Sequence, residues 1–354
     1  MRHPIIVCGS CPFLGSLVFL PVRSVMGQQY QAKALLHMDD SQITVKKNVV
    51  NPASWQFSDQ NSPLPLQQHP AYGLALQSFG STATSVEFED ANKTIGTAML
   101  LHRKFLGAFR FTTLFRGPLW QRPDTPQEVQ LACLKKLKAL YAPWRWNFLA
   151  VLPEEPQSSE TLQAYKKAGL RRIMSGFSTA WIDLRADEDF LRASLKGKWR
   201  NQLVGAEKSA FTISIGGRKA MQYDWLLEKE STQRDNRRYQ ATPLGLVPAF
   251  VAASTPKSAS GVLSVAAIQN RKKIAGALFL LHGNSATYHI GWAGDEARDL
   301  NAQNRVLWEG MLALKAKNIR FLDLGGFNTA DLAGIARFKL GTGAAPLTLL
   351  GAFI

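Results

Sequence analysis

The chain carries an internal repeat, and that repeat constrains the fold more than any other feature. Residues 92–102 read NKTIGTAMLLH and residues 272–282 read KKIAGALFLLH. Both begin in a polar, lysine-bearing turn, place a glycine among small residues, and end in an apolar run closed by His102 or His282. An apolar run precedes each, Ser85–Phe88 in one copy and Val262–Ile268 in the other, so each copy reads as a two-stranded hairpin. A third strand-like segment follows, at Phe109–Phe115 and at Thr287–Trp292. Next comes helical spacing, through Val129, Leu131, Leu134, Leu137 and Leu140, and through Val306, Leu307, Met311, Leu312 and Leu314. A last strand closes each copy, at Trp146–Leu152 and Ile319–Leu324. The order strand–strand–strand–helix–strand, used twice, predicts an α/β fold of two tandem subdomains. Each is expected to be a mixed, mostly antiparallel sheet flanked by helices.

The 354 residues suit two domains of ordinary size. Between the copies lies PEEPQSS (Pro153–Ser159), a loop by its Pro and Ser content. A short helix is expected at Glu160–Ala168, ended by Gly169, and a strand at Thr179–Leu184 opens the second copy. The expected units are therefore residues 45–180 and 181–354. The apolar run Pro4–Val22 is broken by Gly9, Pro12, Gly15 and Pro21 and has no counterpart in the repeat. Residues 1–37 are expected to be a dispensable tail rather than a secretory signal, with Met26 or Met38 as alternative starts. No uninterrupted apolar run reaches the roughly 18 residues of a membrane-spanning helix.

Lys and Arg number 42 against 26 Asp and Glu, a formal charge of +16. That balance points to an anionic partner: nucleic acid, a phosphate-bearing substrate, or an anionic membrane surface. An aromatic content of 10% and only 19% charged residues exclude a wholly disordered chain. The three cysteines, Cys8, Cys11 and Cys133, are too few and too oddly spaced for a disulfide framework. The Cys8–Cys11 pair lacks further ligands for zinc, so no metal site is expected.

Two stretches carry candidate chemistry. Arg192 to Lys219 holds seven basic residues and one acid, behind an acidic helix start at Asp187–Asp189. Leu191, Leu195, Trp199 and Leu203 form an apolar stripe, and Lys196, Arg200 and Lys208 lie on a neighbouring one. That basic stripe is either a solvated helix face or a grip for phosphates, with Arg200 as bidentate donor. Near the C-terminus, Leu322-Asp323-Leu324-Gly325-Gly326 puts an acid at a strand end before two glycines. Such strand ends open into loops where substrates sit; the other reading is that Asp323 caps a turn and the glycines make a tight bend. Gly334-Ile335-Ala336-Arg337-Phe338-Lys339 adds two cations in a glycine-flanked segment. His289 reads as a structural strand histidine in preference to a general base. Glu228, Glu230, Arg234 and Tyr239 read as solvated surface, with a substrate loop as the other choice. Trp144 and Trp146 are expected to pack in the first core. No G-x-S-x-G elbow supports nucleophilic serine chemistry.

These segments resemble a known family. Leu195–Asn201 resembles the K-x-R-x-x-(I/L) helix of the Fem-type (FemABX) peptidyltransferases, acyltransferases of the GNAT superfamily. Ala302–Gly310, Phe321–Gly326 and the closing Gly334–Lys339 resemble later family segments, the last its G-I-x-x-F-K. Leu66–Gly73 and Phe115–Trp120 fit its first half, so the resemblance covers roughly residues 50–350. It implies two tandem GNAT-like subdomains, the second holding the main site. It further implies N-acyl transfer in the cytoplasm, to an amine of a cell-envelope precursor or polysaccharide. The donor would be acyl-CoA or aminoacyl-tRNA, used as co-substrate and not as a permanently bound cofactor.

By position in the family motifs, Lys339 and Asp323 are the catalytic candidates, with Lys339 beside the reacting carbonyl. Arg200, Lys196, Arg337 and Tyr288 are candidates for the substrate, an anionic phosphate-bearing acceptor. Ala302, Gln303 and Asn304, at the helix start that faces the donor in GNAT enzymes, are candidates for the donor's phosphates. Partners implied are that substrate, tRNA, and peripheral contact with the inner membrane face. The sequence departs from the family in two places. The short, Pro- and Gly-containing segment between Lys208 and Leu263 leaves no room for the helical arm that helps bind tRNA in some members. Asp299–Asn304 lacks the glycines of the usual coenzyme A loop. A non-catalytic subunit of an envelope-synthesis complex and a basic nucleic-acid-binding protein are the competing readings.

Overall fold

A computed structural model describes residues 42–50, 61–105, 109–217, 219–237, 241–255, 259–327 and 333–354. The tail at 1–37, with Cys8, Cys11, Met26 and the apolar run Pro4–Val22, lies outside the described residues, as do Met38, Arg218 and Tyr239.

The first unit contains β1 (Ile43–Val49), α1 (Pro70–Ala75), β2 (Thr82–Asp90), β3 (Lys93–Phe105), β4 (Phe109–Phe115), β5 (Leu119–Trp120), α2 (Gln127–Ala139), β6 (Asn147–Leu152), α3 (Ser159–Lys167) and β7 (Arg172–Met174). The second opens with β8 (Ser178–Asp183), α4 (Glu188–Ser194), α5 (Gly197–Lys208), β9 (Thr212–Gly216), α6 (Asp224–Arg237) and α7 (Leu246–Ala253). It continues with β10 (Ser260–Gln269), β11 (Lys272–His282), β12 (Ser285–Ala293), α8 (Asp295–Asp299), α9 (Ala302–Ala316), β13 (Phe321–Asp323), α10 (Ala333–Gly341) and β14 (Ala345–Thr348), and the chain ends in β15 (Ala352–Phe353). Two sheets result, ordered β1-β2-β3-β4-β6-β15-β7 (with β5 on β3) and β14-β8-β13-β12-β11-β10-β9.

The repeat is visible strand for strand. The β2–β3 and β10–β11 hairpins both turn through two residues of positive φ, Ala91-Asn92 and Asn270-Arg271. These turns match the right-handed twist of the strands they join. Each hairpin has a register shift, at Phe88/Glu89 and at Ala267/Ile268. The glycine shared by the two copies meets a tryptophan in both. A Cβ on Gly96 would sit 2.6 Å from the Trp120 ring, and one on Gly276 2.5 Å from the Trp225 ring. Each copy then makes its one parallel pairing, β4 with β6 and β12 with β13. A parallel pair needs a crossover, and α2 and α9 supply it. Their apolar faces, Leu134 and Leu137 in one and Val306, Leu307 and Met311 in the other, are buried in the cores of their units.

The expected boundary at 180/181 falls inside β8, whose six residues all belong to the second sheet. The C-terminus returns to the first: Phe353 pairs with Val151 and packs on Tyr165, ring centroids 4.7 Å apart. The two crossings touch where a Cβ on Gly176 would lie 1.8 Å from the carbonyl of Leu349. A third apolar cluster joins the units. It sets Leu66, Ala71 and Ala75 of the first against Phe250, Leu278, Leu280 and Ile290 of the second.

Three local expectations are corrected. The basic segment is two helices and a strand, because Leu195 and Lys196 take extended backbone between α4 and α5. The apolar stripe survives the break, with Leu191, Leu195, Trp199 and Leu203 all buried. Glu228, Glu230 and Arg234 lie on α6, where Glu230 is 6% exposed and pairs with Arg234 at 2.8 Å. Trp144 and Trp146 lie outside the first core, 80% and 53% exposed, because the turn at Pro143–Arg145 lifts them past the sheet end.

Candidate active site

Beyond Thr287 the strands β12 and β13 part. Ser285, Ala286 and Thr287 pair with Phe321, Leu322 and Asp323, but β12 runs on to Ala293 while β13 stops. The register of β12 against β11 also slips between Leu278 and Phe279, which places a bulge at His289. Among the described residues, one edge of Tyr288–Ala293 is thus free of strand pairing. In the first unit β4 and β6 stay paired from Arg110 to Phe115, so the notch belongs to the second unit.

Lys339 fills the notch. It lies on the inward face of α10, 8% exposed, and Nζ donates to the carbonyls of Gly326 at 2.8 Å and Gly325 at 3.4 Å. Gly325 has φ +72, and a Cβ there would sit 3.7 Å from both Lys339 Nζ and the Tyr288 carbonyl. Glycine's freedom in this region lets the chain turn its carbonyl to the ammonium. Burial pulls the Lys339 pKa down to about 8, against the opposing pull of nearby Asp323. At neutral pH the group stays mostly charged and is poised to change.

Asp323 is completely buried and has its acceptor sites filled. Oδ1 accepts from Thr179 Oγ1 at 2.6 Å and from the Gly325 amide at 2.8 Å, and Oδ2 accepts from Arg116 Nη1. Arg116 comes from the other unit, at the end of β4, with φ +58. It is 3% exposed and forks onto Glu154 at 2.5 and 2.6 Å, while the Trp181 indole donates to the same carboxylate at 3.2 Å. Burial opposes the Arg116 charge, but the two carboxylates outweigh it and raise its pKa. The guanidinium also lies 5.4 Å from the Trp181 ring centroid. Asp323 thus fixes the Gly325 amide, and the Gly325 and Gly326 carbonyls in turn hold the Lys339 ammonium.

Tyr288 borders the same notch. Its hydroxyl accepts from Gln303 Nε2 at 2.9 Å, and burial pushes its pKa up to about 12. Gln303 also donates to the Gly276 carbonyl at 3.2 Å, so it ties the start of α9 to β11 and β12. Ala302 is fully buried, and Asn304 donates to Gln202 at 3.4 Å. The side chains of this trio are turned to structure. What α9 offers outward is its start, where Asn301 (φ +50) makes no side-chain cap to the first-turn amides. His289 is held neutral, its pKa lowered to about 4 by burial and by Arg234.

The other cations form a second group. Lys196, Arg200 and Arg337 are all exposed. The start of α5 abuts the end of α10: the Lys196 amide donates to the Gly341 carbonyl at 2.9 Å, and Trp199 packs on Phe338 with centroids 6.0 Å apart. Thus α10 turns Lys339 inward and Arg337 outward. The residues that sequence reasoning left without a role are Arg116, Glu154, Thr179 and Trp181. Arg116 stood inside a quoted segment and Glu154 inside the inter-unit loop, but only the fold brings them to Asp323. Among the described residues, no group of three or more His, Cys, Asp or Glu could hold a metal ion, and no helix is long and apolar enough to cross a membrane.

No family model matches the chain, and no curated protein matches it by sequence. Solved structures do. FemX is similar at a TM-score of 0.71 with 15% identity, over 87% of this chain and 96% of FemX. A tandem GNAT protein from the clavulanic acid biosynthesis pathway is similar at 0.52 with 12% identity, over 88% of this chain and 98% of that one. The C-terminal domain of a putative lysylphosphatidylglycerol synthetase from Agrobacterium fabrum is similar at 0.50 with 14% identity, over 81% and 87% of the two chains. The notch in the second unit, the doubled sheet order and these likenesses together give the chain the Fem-type tandem GNAT fold.

Proposed function

We propose that the protein is an N-acyltransferase that moves an acyl or aminoacyl group from acyl-CoA or aminoacyl-tRNA to a primary amine. The acceptor is a phosphate-bearing cell-envelope precursor or polysaccharide. The observation that carries this reading is the buried ammonium of Lys339 in the notch between β12 and β13. The unpaired edge of β12 and the uncapped start of α9 suit an extended donor lying along the notch. Lys196, Arg200 and Arg337 suit the acceptor's phosphates. An amine attacking the donor carbonyl forms the C–N bond and breaks the C–S or C–O bond. The proton released from nitrogen leaves with the thiol or hydroxyl. Negative charge builds on the carbonyl oxygen, and a fixed cation in a dry site lowers that barrier.

The test begins with ligand-induced thermal shifts, comparing acetyl-CoA, a longer acyl-CoA, tRNA and a nucleotide-sugar. Single-turnover transfer with the selected donor then compares wild type with Lys339→Met, which keeps length and removes charge. Loss of such a stabilising donor costs on the order of 100- to 1000-fold in turnover, with little change in donor binding. Equal turnover in the two proteins removes Lys339 from the mechanism. Absence of transfer with every CoA thioester and aminoacyl-tRNA moves the reading to a non-catalytic subunit.

A further inference from the structure

Far from the notch, one end of the first sheet combines two unusual features. The first is exposed apolar surface. Of thirteen large hydrophobic side chains exposed among the described residues, five belong to this end: Phe105, Phe111, Leu140, Trp144 and Trp146. Strand register places the aromatics together, since Phe105 pairs with Phe109, Arg103 with Phe111, and Arg110 with Asn147 next to Trp146. Trp146 packs against Phe109 with centroids 4.5 Å apart and the rings tilted by 59°, and Trp144 is 80% exposed.

The second is a basic pocket of ≈ 370 Å³ on the α2 face of the same end. Lys47, Arg103, Lys104 and Arg110 line it, and no acid does. Its floor is polar. His102 has both ring nitrogens on threonine hydroxyls, Nε2 to Thr84 at 2.7 Å and Nδ1 to Thr112 at 2.9 Å. Burial and Lys47 lower its pKa and keep the ring neutral. A neutral imidazole accepts one hydroxyl proton and donates its own, so one threonine hydroxyl proton is left over. Tyr141 is 7% exposed, and its hydroxyl finds no partner of hydrogen-bond geometry, although Thr112 is near. The Lys47 ammonium sits 4.5 Å from the centroid of that tyrosine ring. The floor thus presents spare donors and cations, the complement of a phosphate.

We propose that this end of the first sheet docks on an anionic phospholipid bilayer, with the tryptophans and phenylalanines in the headgroup zone and a lipid phosphate in the basic pocket. Tryptophan favours that zone because its ring is apolar and its N–H is polar. Single-stranded nucleic acid also uses cations and aromatic rings. Aliphatic Leu140, exposed four residues before Trp144, gains nothing from base stacking but gains from contact with lipid. The proposal stands apart from the acyl-transfer reading, because none of these residues borders the notch.

The experiment is vesicle co-sedimentation of the full chain with phosphatidylcholine alone and with an equal mixture of phosphatidylcholine and phosphatidylglycerol. Binding to the mixed vesicles and little to the neutral ones is expected, weakened by salt. Each cation near the surface contributes a factor of about five, so Lys104→Gln/Arg110→Gln should bind roughly 25-fold more weakly. Trp144→Ala/Trp146→Ala should also lose affinity, and its fluorescence should lose the quenching that brominated lipids produce in wild type. Removing two charges from the second unit, Lys208→Gln/Lys272→Gln, should change binding far less. Equal effects of the two charge-removing pairs overturn the proposal, as does equal binding to both vesicle types. So does vesicle binding that is absent while an RNA oligonucleotide binds through Lys104 and Arg110.

Discussion

Arg116→Met should cost about 3 kcal/mol of stability, at the lower end of what breaking a buried ion pair costs. The guanidinium serves two carboxylates in different surroundings. The side chain of Glu154 is 15% exposed, can regain water and keeps the Trp181 indole. The side chain of Asp323 is 1% exposed and cannot. After the substitution Asp323 retains two donors, Thr179 Oγ1 and the Gly325 amide, but no cation in contact. The penalty therefore falls on one buried carboxylate with partial compensation, which sets the low end of the range. Urea unfolding followed by tryptophan fluorescence reads the loss. The double variant Arg116→Met/Asp323→Leu removes the stranded charge as well and should recover much of it. The double variant should lose turnover while folded, because Gly325 loses the carboxylate that accepts from its amide and Lys339 loses its anchor with it; Arg116→Met keeps that hydrogen bond and should lose less. A loss in Arg116→Met below about 1 kcal/mol, the value of an exposed pair, would refute the reasoning. So would a double variant less stable than the single one.

Three further predictions concern charge. Lys339 has a folded pKa of about 8, below the 10.5 of a free lysine, so between these pH values the unfolded chain binds more protons. Stability attributable to Lys339 should then rise with pH through that window and be absent in Lys339→Met, as chemical denaturation at several pH values would show. Turnover should run the other way: its limb above pH 8 should fall as the ammonium is lost, and a profile that keeps rising would exclude a charged Lys339 from the reaction. Arg200→Ala should raise the KM for a phosphate-bearing acceptor, with an effect that shrinks at high salt; an unchanged KM at low salt would remove Arg200 from the acceptor site.

Much of the architecture was legible because it depends on local periodicity used twice. The alternation in 92–102 and 272–282, the helical spacing before 140 and 314, and the turn residues between strands all act over a few residues. Gly334–Lys339 stands out through its resemblance to a family motif, and the fold decided that Lys339 turns inward and Arg337 outward. The break at Leu195–Lys196 was not legible, because a helix and a kinked pair of helices can bury the same stripe. The exposure of Trp144 and Trp146 was not either, since an aromatic residue beside a strand reads as core until the turn's direction is known.

Sequence alone thus determined the doubled sheet-and-helix order, the basic balance and the segments that carry Lys339 and Asp323. Tertiary structure alone decided which copy opens. Parallel partners remain paired along β4 and β6 but part after Thr287, and that difference comes from how far β13 extends and from the bulge at His289. It alone also decided that Asp323 serves Arg116, a residue from the other unit. A buried charge must find its counter-charge wherever the chain brings one, and distance along the sequence sets no limit on that.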